Sequence, residues 1–254
     1  MQAIILAAGM GKRLKELTNN NTKCMVKVNW VSIIDRMLHQ IEKRDISKII
    51  IVIGYKWDQL KQYISTLWIK TPIVYIENPI YDKTNNIYSL DLTKDYLCDD
   101  DTLLFESDLV FDGLIIDELL NDSRETLALV DKYQSRMDGT CVKLSDDDSI
   151  ESLIPKNKFK FEDSCDYYKT VNIYKFSKNF SKNKYVPFLE VYQRVLWLNE
   201  YYEQVLRLII TLDDPEIKAK RLTGQLWYEI DNVDDLRNAE LLFPPIKSVN
   251  NRHL

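Results

Sequence analysis

The chain has 254 residues, 45% of them hydrophobic and 29% charged, enough apolar mass for one large α/β domain or two smaller ones. Six glycines and seven prolines exclude a low-complexity chain, and a net charge of −5 argues against a general nucleic-acid binder, which is normally basic. No apolar run approaches the roughly 18 residues of a membrane span and no signal peptide is apparent, so the expectation is a cytoplasmic protein with neither nucleic-acid nor membrane partner.

Residues 2–8 are continuously apolar and run into glycine, which predicts a buried parallel strand. Ile33, Ile34, Met37, Leu38 and Ile41 recur at helical spacing over 32–43. "ISKIIIVIGY" is a second buried strand, "WDQLKQYISTLW" a second helix and "PIVYIENP" a third strand. Strand, helix, strand, helix, strand at this pitch makes right-handed βαβ units and a parallel sheet.

A short helix is predicted to start at Asn85 or Asn86, followed by the strand "DTLLFESDLVF". After residue 125 the pattern turns strand-rich, in "ETLALVDKY", "GTCVKL" and "KTVNIYKFS", with turns at Asp138-Gly139 and around 146–148. One long amphipathic helix is expected from Pro187 to Leu212, carrying Tyr192, Tyr201 and Tyr202. "QLWYEIDNVDDLRNAELLF" reads as a strand entering a helix, with Asp231 or Asn232 as its cap.

Cys24, Cys98, Cys141 and Cys165 are too widely spaced for a metal knuckle and are expected as free thiols. His39 and His253 are too few for a zinc triad. Charge is concentrated at the start: Lys12, Arg13, Lys15, Lys23 and Lys27 face a single acid, Glu16, within the first 27 residues. Glycines after a strand let backbone approach a phosphate, and the helix start beyond offers free N–H groups. The same turn, read plainly, is a strand–turn–helix with solvated cations.

Asp108 falls at the carboxyl end of an apolar strand, where open α/β sheets place ligands. There it is either a turn aspartate or a ligand for phosphate-bound Mg²⁺. Asp231 ends another strand, and Glu229 alternates onto the same face. The Asp99–Asp101 and Asp146–Asp148 runs read as solvated loops.

Taken together, "IILAAGMGKRLKELTNNNTK", "IVIGY", "NNIYSL", "ESDLVF" and "WYEIDNVDDL" resemble the nucleotidyltransferases of the sugar-phosphate and cholinephosphate type. The likeness spans residues 2–243 and is strongest to cytidylyltransferases acting on phosphonates, through "KYQSRMDGTCVKL", "YYKTVNIYKFS" and "NEYYEQVL". Two positions depart from the family pattern: Thr22 replaces the usual proline before Lys23, and Trp30 stands where a glycine is common.

The resemblance implies an α/β fold, a Rossmann-like mixed, mostly parallel sheet flanked by helices, forming one domain over 1–243 with a tail or linker over 244–254. It implies a Mg²⁺-dependent transfer of CMP from CTP to a small phosphonate, 2-aminoethylphosphonate first, with phosphocholine and 2-hydroxyethylphosphonate as rival acceptors. A sugar-1-phosphate acceptor and a non-catalytic nucleotide-binding module rank lower.

Within that frame Lys23 and Arg13 are the catalytic cations, and Leu6, Ala8, Gly9, Gly11, Lys12, Asn86 and Ser89 bind nucleotide. Asp108, Asp231 and Glu229 hold the metal, while Asp138, Lys169, Tyr202 and Glu203 meet the acceptor. A fused or associated enzyme such as a transaminase, and a homodimer, are among the partners the resemblance suggests.

Overall fold

β1 (Gln2–Ala7) forms where the apolar opening run is expected, and all six of its residues are buried. The computed structural model describes residues 1–19, 21–196 and 198–245, with backbone alone for Lys15 and Glu16. Two short 3₁₀ segments, Lys12–Thr18 and Lys23–Met25, follow β1 and lead into a hairpin of β2 (Lys27–Val28) and β3 (Val31–Ser32). Then come α1 (Ile33–Glu42), β4 (Ile49–Ile53), α2 (Trp57–Ser65) and β5 (Ile73–Glu77).

β1 pairs in parallel with β4, and β4 with β5, as the βαβ spacing requires. Both faces of β1 are covered. Ala3, Ile5 and Ala7 join a core with α1, while Ile4, Leu6 and Ala8 join a second core on the opposite face. That double coverage is why the strand is uniformly apolar, each fully buried Ile contributing about 1.5–3 kcal/mol of transfer free energy.

The predicted short helix is α3 (Asn86–Asp91), capped by the Asn85 side chain, and α4 (Lys94–Leu97) follows. "DTLLFESDLVF" is not one strand. It divides at Ser107-Asp108 into β6 (Thr102–Glu106), parallel to β1, and β7 (Leu109–Phe111), which leaves the main sheet. After α5 (Leu114–Leu120) come β8 (Leu127–Lys132), β9 (Cys141–Leu144), β10 (Ile150–Ile154) and β11 (Tyr167–Phe176); β11 pairs antiparallel with β6, β8 and β9 pair antiparallel with β11, and β10 pairs antiparallel with β9.

The chain next forms α6 (Lys178–Phe180), a π-helical turn (Ser181–Tyr185), α7 (Val186–Val195) and α8 (Glu203–Ile209). The single helix expected over 187–212 is therefore two. The reason lies in α3, whose first amides need acceptors: Asn85 N donates to Leu198 O at 3.2 Å and Ile87 N to Glu200 O at 3.3 Å. Those carbonyls leave the helical ladder to serve a neighbour.

β12 (Lys218–Arg221) joins β8 in parallel, and β13 (Trp227–Glu229) pairs with β7 as a separate ribbon before α9 (Val233–Leu242). The main sheet is mixed, with nine strands among the described residues, parallel through β5, β4, β1 and β6 and flanked by helices. No helix among the described residues is long and apolar enough to cross a membrane. Residues of the expected tail from 246 onward lie outside the described ones.

Candidate active site

A third, small core sets the geometry of the site. Leu14 from the post-glycine turn, Val26 and Val28 from the hairpin, Val110 of β7, Tyr228 and Ile230 around β13 and Ala239 of α9 pack together. This cluster clamps the opening loop, the β7–β13 ribbon and α9 into one unit. The ladder continues past the ribbon, Ile230 N donating to Asp108 O at 3.0 Å, which brings Asp108 and Asp231 side by side.

Lys23 Nζ lies between them, 2.5 Å from Asp108 Oδ2 and 2.7 Å from Asp231 Oδ1. Arg13 Nη2 reaches the same Asp231 oxygen at 2.6 Å, with most of its side chain in solvent. Burial pulls the Lys23 ammonium toward neutrality, but the two carboxylates outweigh it and hold its pKa above the ordinary lysine value. Burial likewise pushes the Asp231 carboxyl up, and Lys23 and Arg13 overcome it, leaving the group below the usual range.

The cap of α9 explains how Asp231 is free for this work. Asn232, not Asp231, is the N-cap: its side chain accepts from the Asp234 and Asp235 amides, and Asp235 answers in a capping box. Thr22 keeps the backbone a proline would impose, φ −76° and ψ 158°, just before Lys23. The departure from the family pattern leaves the local path intact.

Gly11 is left-handed, φ +61°, and a Cβ there would lie 3.0 Å from Lys23 Cβ and 3.1 Å from Thr18 Cγ2. Gly9 is different: a Cβ would meet nothing within 4 Å, so bare backbone faces open space. Lys12 is exposed beside it. Leu6 and Ala8 are buried in the second core, and the buried Ser89 hydroxyl accepts from Asn78 Nδ2 at 3.1 Å.

Asp108, Glu229 and Asp231 can each turn a carboxylate oxygen toward one point, within 4.8 Å of one another. Asp108 Oδ1 is buried and without a hydrogen-bond partner, and the donor set is all oxygen, which suits a hard divalent cation such as Mg²⁺. The Lys23 ammonium already shows that a cation is held there.

On the other side of Asp108 stands a second group of acids. Glu229 Oε2 pairs with Lys169 Nζ at 3.4 Å, and burial, aided by Asp108 and Asp231, lifts its carboxyl to about 7 against that lysine. Burial raises Glu203 as well, opposed by Lys169 and a hydrogen bond to Thr140. Glu106 is raised well above its ordinary value by burial, then by the charges of Asp108 and Glu203.

Glu106 is the member that the sequence reading left without a role. Its position two residues before Asp108 at a strand end was the available signal. Lys169 itself is buried, its Nζ donating to Thr170 O at 2.6 Å and lying 5.9 Å from the centre of the Trp227 ring.

Two of the expected acceptor residues are not brought into this group as anticipated. Asp138 is exposed on the β8–β9 loop, where Lys156 takes its carboxylate. The Tyr202 ring is 1% exposed and packs edge-on to Tyr174, so it offers no open aromatic face. Its neighbour Glu203 is the one that faces the acids, because the turn into α8 buries the ring and leaves the carboxylate on the site side.

Known proteins of similar sequence and fold identify the family. A family model described as nucleotidyl transferase matches residues 2–151. CMP-5'-(3-aminopropyl)phosphonate synthase of Streptomyces rubellomurinus is 24% identical over 96% of this chain, which spans 39% of that protein's length. CTP:phosphoglutamine cytidylyltransferase of Campylobacter jejuni is 29% identical over 93% of this chain and 98% of its own. The solved structure of CTP:phosphocholine cytidylyltransferase from Streptococcus pneumoniae superposes with a TM-score of 0.79 at 24% identity, covering 95% of this chain and 98% of that one. A glycine turn, a lysine held by two strand-end aspartates, the fold and the matched model lead to one statement: the chain belongs to the nucleotidyl transferase family.

Proposed function

We propose that the protein is a Mg²⁺-dependent cytidylyltransferase that moves CMP from CTP to a small phosphonate, 2-aminoethylphosphonate in first place, with release of pyrophosphate. One observation carries this reading. The Lys23 ammonium, held by Asp108 and Asp231, separates a bare glycine turn with exposed cations from a recessed set of glutamates beside Lys169. The first side suits a triphosphate, and the second suits a small acceptor with an anionic and a cationic end. The names of two relatives also pair CMP or CTP chemistry with nitrogen-bearing phosphorus acids.

In this reaction a phosphonate oxygen attacks the α-phosphorus of CTP, a P–O bond forms, and the bond to the β-phosphate oxygen breaks. The transfer asks for little covalent chemistry from the protein; alignment and charge neutralisation suffice. Lys23 balances charge on the α-phosphoryl group and the incoming anion. Arg13 and Lys12 hold the β- and γ-phosphates, while Leu6, Ala8, Gly9 and Gly11 shape the nucleotide side together with Ser89.

Lys169 draws in the phosphonate, and Glu203 and Glu106 accept from the ammonium end. Asp108, Asp231 and Glu229 would hold Mg²⁺, which supplies neutralisation of phosphate charge when bound.

A pyrophosphate-release panel tests the reading, with CTP, UTP, ATP and GTP against 2-aminoethylphosphonate, 2-hydroxyethylphosphonate, phosphocholine and glucose-1-phosphate, with and without Mg²⁺. The expected result is fastest turnover with CTP and 2-aminoethylphosphonate. No turnover with CTP and any acceptor overturns it in favour of a nucleotide-binding module, and a preference for phosphocholine overturns the choice of acceptor.

A further inference from the structure

Asn86 is the first residue of α3, and both ends of its amide are committed. Nδ2 donates to Glu106 Oε1 at 2.8 Å, and Oδ1 accepts from Tyr202 N at 3.0 Å. The orientation follows from Tyr202, since a backbone N–H only donates and therefore faces the amide oxygen. On either side, Asn85 N and Ile87 N donate to the carbonyls of Leu198 and Glu200. The first turn of α3 thus ties down the α7–α8 connection at three backbone points. Directly after the third point comes Glu203.

One side chain therefore fixes the position of one glutamate and, through the backbone of Tyr202, the starting point of the helix that carries the other. Held at both ends, the amide keeps one N–H and one lone pair uncommitted, but its place and plane are set by Glu106 and Tyr202.

We propose that Asn86 is a positioning residue for the acceptor rather than a contact for the nucleotide base, joining Glu106 and Glu203 into a single seat for the primary ammonium group of an aminoalkyl phosphonate. The proposal rests on the cytidylyltransferase reading above. A quaternary ammonium has no N–H to give these carboxylates, and the Tyr202 face is covered.

The test is steady-state kinetics on the full chain with Asn86→Ala and, separately, Glu106→Gln, each first shown to melt cooperatively. For 2-aminoethylphosphonate KM should rise about tenfold or more in both variants, while KM for CTP moves far less. With 2-hydroxyethylphosphonate the loss should be several-fold smaller, so the preference for the amine collapses. If Asn86→Ala does not fold, Glu106→Gln, which keeps the shape and an accepting oxygen, carries the test alone.

A rise in KM for CTP with the amine preference intact overturns the proposal and returns Asn86 to the base. Equal losses on both acceptors overturn it as well, by making the role purely structural. Wild-type protein that uses CTP yet does not prefer the amine overturns this inference alone. Wild type inert with every CTP pair overturns the transfer reading along with it.

Discussion

The two sides of Lys23 are built in opposite ways. On the proposed nucleotide side, cations are matched to acids: the exposed Arg13 and the recessed Lys23 both find Asp231, and both Lys23 and Asp231 are held in their charged forms. On the proposed acceptor side, Glu203 and Glu229 share Lys169, Glu106 is bonded by the Asn86 amide, and all three are pushed toward protonation. The first side is already neutralised, so on the proposed reading a phosphate would take over its internal partners. The second sets three carboxyls against one lysine, so on the proposed reading an arriving cation draws them back to their charged forms.

The sharpest way to break this contrast is Lys23→Ala. Turnover should fall about 10³-fold, the size seen when a group aimed at developing charge is removed. Near-normal turnover would remove Lys23 from the chemistry. Asp108→Asn comes next: it should cut Mg²⁺-dependent turnover by about 100-fold or more, and an unchanged metal titration would show that the ion is held elsewhere.

Glu203→Gln probes the other side alone. KM for an amine acceptor should rise roughly tenfold with KM for CTP moving far less; an effect on CTP of equal size would erase the distinction between the sides.

Smaller effects separate the two glycines. Gly11→Ala should lower stability by about 1–2 kcal/mol in denaturant melts, because a Cβ is forced into a left-handed backbone against Lys23. Gly9→Ala should leave the melt almost unmoved while weakening CTP binding, since its side faces open space. A reversal of that order would mean the turn serves packing rather than ligand.

The smallest effect is a slope. Because Glu203 keeps its proton to higher pH when folded than when unfolded, the folded state binds more protons just above the ordinary glutamate value. Its contribution to stability therefore falls as pH rises through that window. Glu203→Gln should flatten the wild-type melting curve against pH, and a steeper slope in the variant would contradict the burial argument.

Much of the nucleotide side was legible because its signals are local. The β1 run, the glycine turn and Lys23 lie within a few residues of one another, and Asp108 and Asp231 are marked by ending apolar strands. Even the choice left open at the α9 cap was between two adjacent residues, and the box with Asp235 decided it for Asn232.

The acceptor side was less legible because its members come from β6, β11, β13 and the start of α8, and burial rather than motif defines them. Periodicity over 187–212 promised one helix; it could not register that α3 would claim the carbonyls of Leu198 and Glu200. The placement of Tyr202 failed for the same reason: an apolar phase says that a ring is packed, not which way its neighbour points.

The ribbon of β7 and β13 has a consequence in time as well as space. Lys23 and Asp231 stand 208 positions apart, so the ion pair at the centre of the site closes one of the longest loops the fold contains. A ribosome must release nearly everything through residue 231 before that pair can form, although the parallel strands β1, β4 and β5 are available for pairing far sooner. A nascent chain can thus own a sheet without owning an active centre. The pair waits until β13 docks against β7.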